Sequence, residues 1–154
     1  MSSLIDTARA YLRFALGLRG FLHNTVTHDE IRTTIRQQIE NREENFLKTL
    51  KSNVFDYPRS PYLKLFQAAN ITFPDVEKMV ATQGLDGTLD ALYDANVYVT
   101  FEEYKGRVPL KRGNVELHLS ESDFDSPNLE AAMIGATGGS TGKPTRTKMD
   151  FKYL

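Results

Sequence analysis

The sequence lacks cysteine and tryptophan altogether. Without cysteine, the chain can form no disulfide bond, no thiolate metal site and no cysteine nucleophile. An excess of one charge is also missing, because 19 basic residues stand against 20 acidic ones. Such a balance gives no general attraction to nucleic acid or to an anionic membrane surface. We therefore expect no nucleic-acid partner.

Long apolar runs are absent from the sequence as well. No stretch approaches the roughly 18 consecutive apolar residues that indicate a membrane-spanning helix. The first residues do not resemble a signal peptide, since Asp6 stands where basic residues are needed and Arg9 and Arg13 interrupt the apolar positions. We expect a cytoplasmic protein without a membrane span.

The first two thirds of the chain are predicted to be helical. Apolar residues recur every three or four positions over 3–22 and again over 28–52, which indicates two long amphipathic helices. Thr27 and Glu30 form a capping-box pattern at the start of the second helix. A break with two prolines follows at 56–61, and shorter helices are expected near 62–66, 74–80 and 85–93. Thr100 and Glu103 form a second capping-box pattern.

The last third has the features of strands. Apolar residues alternate with polar ones over 115–119, an apolar run covers 129–136, and 146–149 is predicted to be extended. A helix is expected to begin at residue 150. The fold class expected is thus mixed α/β, with helices followed by the first strands of a larger sheet.

The segment 137–144 is the part of the sequence that carries recognisable chemistry. Three glycines, two threonines and a serine lie within the six residues 137–142, and Lys143 follows. Glycine lets the backbone approach a ligand closely, and successive backbone N–H groups form anion-binding concavities. Together with short hydroxyl side chains and a positive charge, this composition indicates a polyphosphate ligand.

Two common phosphate-binding motifs do not fit the segment. A Walker A motif requires glycine at the position of Thr137 and a metal-binding serine or threonine at the position of Pro144. A dinucleotide-binding fingerprint ending at Gly142 also requires glycine at position 137, and it requires a helix directly after the loop. Both motifs are rejected.

The loop resembles instead the phosphate-binding signature of the AMP-forming adenylating enzymes, whose pattern is roughly T-S-G-[ST]-T-G-x-P-K. Six residues match at the same spacing: Thr137, Gly139, Ser140, Thr141, Gly142 and Pro144. Gly138 replaces the usual serine and Thr145 replaces a common lysine. The order Gly-Lys-Pro-Thr, and more weakly the Ser-Pro-Tyr sequence that begins at Ser60, are most similar to the phenylacetate–CoA ligase branch.

The resemblance implies a ligase that uses ATP and Mg²⁺ to convert a carboxylic acid into an acyl-adenylate. The acyl group then passes to the thiol of CoA or of a carrier protein. On this interpretation the loop residues Thr137, Gly138, Gly139, Ser140, Thr141, Gly142 and Lys143 hold the β- and γ-phosphates of ATP. In this family the adenine pocket, the metal-binding glutamate and the catalytic lysine lie further along the chain, so no catalytic residue is assigned before Leu154.

The resemblance does not extend to the first 55 residues, and this divides the chain into two parts. Residues 1–55 are expected to form a helical extension of two long helices. Residues 56–154 are expected to begin the large N-terminal domain of an adenylating enzyme, cut shortly after the phosphate loop. The chain alone is then expected to be inactive. Two alternatives stay open: a small helical interaction protein in which the loop is only a connector, and a phosphate-binding module without chemistry.

Other candidate residues favour structural roles. His23 and His28 lack a third metal ligand, and His118 is an isolated residue of the predicted strand. Asp86, Asp90 and Asp94 share one helical face, which is typical of a solvated surface. Asp123 and Asp125 resemble the start of a calcium loop, but the required glycine and closing glutamate are missing. For Tyr98, Phe101 and Tyr104, and for the Ile31, Ile35 and Ile39 stripe, packing is favoured over ligand or partner binding. No metal ligand is assigned.

Overall fold

The computed structural model describes residues 11–12, 14–19, 22–23, 27–128, 133–136 and 146–149. Over these residues the fold is mixed and mostly helical, with short antiparallel strand pairs. The chain divides into two compact units. One unit contains Arg32–Pro127, and the other contains Met1–Ile31 with Asn128–Leu154.

Helices α1 and α2 occupy the region predicted as one long helix. Helix α1 covers His28–Glu40 and α2 covers Arg42–Leu50. The single helix expected over 28–52 was wrong in one respect, because Asn41 between them has φ −97° and ψ 16° and leaves the helical conformation. Before α1, residues 11–12, 14–19 and 22–23 are helical, which agrees with the prediction for 3–22 where it can be compared.

A π-helix, Lys51–Phe55, continues directly from α2. The backbone N–H of Asp56 donates to the carbonyl of Lys51 at 2.8 Å, a bond that closes a turn of five residues instead of four. The predicted break at 56–61 then separates it from helix α3, Pro61–Ala68, in which Pro61 occupies the first turn. A proline is accepted there because the first N–H groups of a helix have no partner within it.

Helix α4, Phe73–Asp94, contains both of the short helices that were predicted near 74–80 and 85–93. They are separated by Gly84, whose backbone is not helical at φ 71° and ψ 179°. The N–H of Leu85, which begins the second half, donates to the carboxylate of Glu43 at 3.3 Å. A side chain of α2 thus caps the second half of α4, in the way that an N-terminal cap satisfies a helix start.

The short helix α5, Phe101–Tyr104, confirms the second capping box. The N–H of Glu103 donates to the Thr100 hydroxyl at 3.3 Å, and the N–H of Thr100 donates to the Glu103 carboxylate at 2.8 Å. The first capping box is also confirmed, with the N–H of Thr27 donating to Glu30 at 2.8 Å.

Two strand pairs follow. Strand β1, Leu110–Arg112, pairs antiparallel with β2, Val115–Leu117, and places Leu110 opposite Leu117. The strand expected over 115–119 is therefore shorter than predicted, and its partner β1 was not predicted. Residues Glu121–Phe124 form a 3₁₀ turn after β2. Strand β3, Met133–Ala136, pairs antiparallel with β4, Arg146–Met149.

The core of the unit Arg32–Pro127 lies between α2, the π-helix, α3, α4 and β1. Leu65, Phe66, Val76 and Leu110 are almost fully buried. The ring of Phe55 packs 4.8 Å from that of Phe66 and 5.4 Å from that of Phe73, measured between centroids. The π-helix is therefore anchored in the core by an aromatic cluster.

Helix α1 contributes no buried residue to this core. Ile31, Ile35 and Ile39, the apolar stripe predicted to pack, are 43, 52 and 63% exposed. These three residues are therefore not part of the buried core, and their predicted packing against the first helix stays a prediction. No helix of the described part of the chain is both long enough and apolar enough to span a membrane.

Candidate functional site

The predicted phosphate-binding loop is framed by the hairpin of β3 and β4. The register pairs Met133 with Met149 and Ala136 with Arg146. This confirms the strand predicted to lead into the loop, over 133–136, and the extended segment predicted after it. The loop residues themselves, Thr137, Gly138, Gly139, Ser140, Thr141, Gly142 and Lys143, lie outside the described residues, as does the helix expected at 150.

The hairpin fixes where the loop begins and ends. Ala136 and Arg146 are direct partners, and directly opposed residues of an antiparallel pair have Cα atoms about 5 Å apart. Nine residues, 137–145, separate these two partners in the sequence. A reversal between antiparallel strands needs only about two to five residues. The loop is longer than the reversal requires, and its glycine content permits a backbone that surrounds an anion.

The chain matches no family model, no curated protein and no solved structure.

The candidate metal ligands do not come together. Among the residues that the structure describes, no group of three or more His, Asp or Glu side chains is placed to hold a metal ion. Asp86 instead forms an ion pair with Arg42 at 3.0 Å, and Asp123 accepts hydrogen bonds from the N–H and the hydroxyl of Ser120. His118 lies just after β2 and lines a cleft beside Arg59 and Lys64.

A buried ion pair was missed by the sequence analysis. Arg112 of β1 donates to both carboxylate oxygens of Glu103, at 2.9 and 3.0 Å, and Glu103 is only 5% exposed. Burial raises the pKa of Glu103, but the hydrogen bonds from Arg112 and Thr100 outweigh this effect and hold the pKa below its ordinary value. The capping box identified Glu103 from sequence, whereas Arg112 belongs to a strand that no periodicity revealed.

The three aromatic residues with a predicted packing role have different surroundings. The guanidinium of Arg112 lies 4.2 Å from the centroid of the Tyr98 ring, and the ring of Tyr93 stacks on Tyr98 with centroids 4.5 Å apart. Tyr104 packs 5.1 Å from the ring of Phe124. Phe101 is 61% exposed, so it does not belong to the core.

An apolar cavity of about 350 Å³ lies within the unit Arg32–Pro127. Its walls come from α2, the π-helix, α3, the second half of α4 and the segment 97–99. Leu50, Val54, Leu92 and Tyr98 are among its lining residues. No charged side chain occurs among the described residues that line it. No sequence pattern indicates the cavity, because its walls come from five separate segments.

Proposed function

We propose that the chain supplies the phosphate-binding loop of an AMP-forming ligase that activates a carboxylic acid as its acyl-adenylate. The observation that carries the proposal is the match of 137–144 to the family signature, joined to the paired strands on both sides of that segment. The acyl acceptor is the thiol of CoA or of a carrier protein. Within this family we expect a protein of the phenylacetate–CoA ligase-like branch, in which these strands are the first of a larger sheet.

The chemistry assigned to the loop is charge stabilisation. Hydroxyls of Thr137, Ser140 and Thr141 and backbone N–H groups at the three glycines donate to the β- and γ-phosphates. Lys143 adds a positive charge near the departing pyrophosphate. Donors that are already in place when negative charge develops lower the barrier without further reorganisation. Mg²⁺, when bound with ATP, neutralises and orients the phosphates.

The first experiment tests whether the loop 137–143 binds phosphate. ¹⁵N-labelled chain is titrated with Mg·ATP, and the amide resonances of Gly138, Gly139 and Gly142 are followed. Saturable shifts centred on these amides are expected, since their N–H groups are the proposed donors. The absence of shifts at millimolar Mg·ATP would overturn the proposed role of the loop.

The second experiment tests the ligase chemistry. The protein is expressed from the complete reading frame that contains this chain, and carboxylate-dependent exchange between ATP and pyrophosphate is measured. Exchange is expected from that protein and not from residues 1–154 alone, because the chain carries none of the family's catalytic residues. A reading frame that ends at Leu154, or exchange catalysed by residues 1–154, would contradict the proposal.

The exposed stripe of Ile31, Ile35 and Ile39 favours a second candidate, the helical interaction protein in which the loop is a connector. Exposed apolar stripes on helices are typical of surfaces that pack against other helices. The two candidates differ in the Mg·ATP titration, because a connector has no reason to bind phosphate. Shifts confined to the loop exclude the connector, and their absence favours the interaction protein. The exchange assay then separates a ligase from a phosphate-binding module without chemistry.

A further inference from the structure

The apolar cavity between α2 and α4 has the properties of a ligand site. A closed cavity of about 150 Å³ lined by apolar side chains holds one benzene molecule. The cavity here measures about 350 Å³ and is partly open to solvent, so it has room for roughly two rings. This volume also falls in the range of about 300–1,000 Å³ that is usual for small-molecule sites.

The lining of the cavity selects against charge. Leu50, Val54 and Leu92 supply apolar walls, and none of the described lining residues carries a charge. A charged group placed there would lose its hydration without gaining an ion pair. The lining residues that carry a polar side-chain group are Thr49, Asn53, Tyr62 and Tyr98. The chemistry of the walls therefore fits an apolar, uncharged body with one polar group.

Two walls of the cavity are held in place by contacts outside it. The ring of Tyr98 contacts both Tyr93 and Arg112, and Arg112 is itself held by both carboxylate oxygens of Glu103. Another part of the lining is formed by Asn53 and Val54 of the π-helix. Short π-helices occur often at functional sites, where the wider turn moves side chains out of the α-helical register. A site with fixed walls binds without a large ordering cost.

We propose that this cavity binds an uncharged, mainly apolar small molecule of about two fused rings that carries one hydroxyl or carbonyl group. The polar group lies toward Thr49 and Asn53, which are four residues apart on the same helical run. The site lies wholly within Arg32–Pro127, so it does not depend on the loop at 137–143.

The test compares two probes that share their rings and differ in charge. ¹⁵N-labelled chain is titrated with 2-naphthol, which is uncharged near neutral pH, and with 2-naphthoate, which carries a carboxylate. For 2-naphthol, saturable amide shifts are expected at Leu50, Val54 and Leu92. Binding of 2-naphthoate is expected to be weaker by about tenfold or more, because the walls offer no counter-charge. Equal affinities, or no saturable shift with 2-naphthol, would overturn the proposal.

A pair of variants tests the location. Thr49 lies at the cavity, and the indole of Thr49→Trp is expected to occupy part of it. Thr82, on the exposed side of α4, does not line the cavity, so Thr82→Trp is the matched control. Affinity for 2-naphthol should fall by about tenfold or more in Thr49→Trp and stay unchanged in Thr82→Trp. Undiminished binding by a folded Thr49→Trp protein contradicts the assignment; if that variant does not fold, the comparison of the two probes still decides.

Discussion

The guanidinium of Arg112 donates two hydrogen bonds, of 2.9 and 3.0 Å, to the carboxylate of Glu103, and both side chains are largely buried. The same guanidinium lies 4.2 Å from the centre of the Tyr98 ring. One arginine therefore connects β1, the capping box of α5 and a wall of the apolar cavity. Loss of this residue is expected to affect all of them together.

Arg112→Met is expected to lower the free energy of unfolding by about 3–5 kcal/mol, because it leaves a buried carboxylate without its counter-ion. Arg107→Met is the matched control. Arg107 pairs with Glu102 at 2.9 Å, but both of those side chains are about half exposed. An exposed pair contributes about 0–1 kcal/mol. Urea unfolding of both variants measures the difference, and a similar loss in both would show that the buried pair has no special importance.

Glu103 is expected to make stability depend on pH. Its pKa is lower in the folded protein than the ordinary value of 4.5, so the folded state binds fewer protons in this range. The stabilisation is therefore fully present above about pH 4.5 and is lost as the pH falls through the lower, folded pKa. Urea unfolding at several pH values between about 3 and 6 measures this loss.

Glu103→Gln is the variant that isolates this effect. Asp75 and Glu30 also have lowered pKa values, from their hydrogen bonds to Thr72 and Thr27, and they act in the same direction. Since both remain in the variant, its stability should still depend on pH, but less steeply than that of the original chain. An unchanged slope would mean that Glu103 does not titrate differently on folding.

Gly106 and Gly113 offer a matched test of backbone crowding. Both have positive φ, 64° and 54°, and a side chain at either position is strained. A Cβ at Gly106 would lie 2.4 Å from the carbonyl oxygen of Leu119, whereas a Cβ at Gly113 meets nothing within 4 Å. Gly113→Ala is expected to cost about 1–2 kcal/mol, and Gly106→Ala distinctly more because the backbone itself must move. Thermal unfolding of both variants measures the difference. Equal decreases in Tm would contradict the close approach of Gly106 to the carbonyl oxygen of Leu119.

Lys143→Ala is expected to weaken Mg·ATP binding by about tenfold, if one charge-assisted contact to phosphate is lost. Lys148→Ala removes the same charge from β4, five residues further along the chain, and serves as the control. In isothermal titration, the affinity of the control variant for Mg·ATP should change little, apart from the small effect of losing one positive charge. Equal losses in the two variants would mean that Lys143 acts only through net charge, and would contradict the proposed contact with phosphate.

Local signals predicted much of the fold. The two capping boxes, the proline break and the short helices at 74–80 and 85–93 appear where the sequence placed them, because each depends on residues that are neighbours in the chain. Other features of the fold have no local sequence pattern that indicates them. Asn41 ends α1 within an apolar pattern that continues past it, and Glu43 caps Leu85, 42 residues away. Strand β1 has only three residues, too few for an alternation to be recognised.

For the candidate site, the flanking strands could be predicted from the sequence, but the cavity could not. The strands on both sides of the loop followed from composition and alternation, and their pairing is confirmed by the register of β3 and β4. The phosphate ligand and the ligase chemistry stay predictions. The apolar cavity could not be predicted from the sequence, since a cavity is the space left unfilled between side chains that lie far apart in the chain.

The π-helix has a consequence for how the chain tolerates length changes. A π-turn accommodates one residue more than an α-turn, and one residue corresponds to about 100° of rotation around a helix. Deleting a single residue from Lys51–Phe55 would let α2 continue as an ordinary helix, while the residues after the turn keep their direction around the axis. A deletion within α2 itself would instead rotate Asn53 and Val54 of the cavity lining by this angle. The π-turn is thus the place in this helical run where the loss of one residue changes the direction of later side chains least.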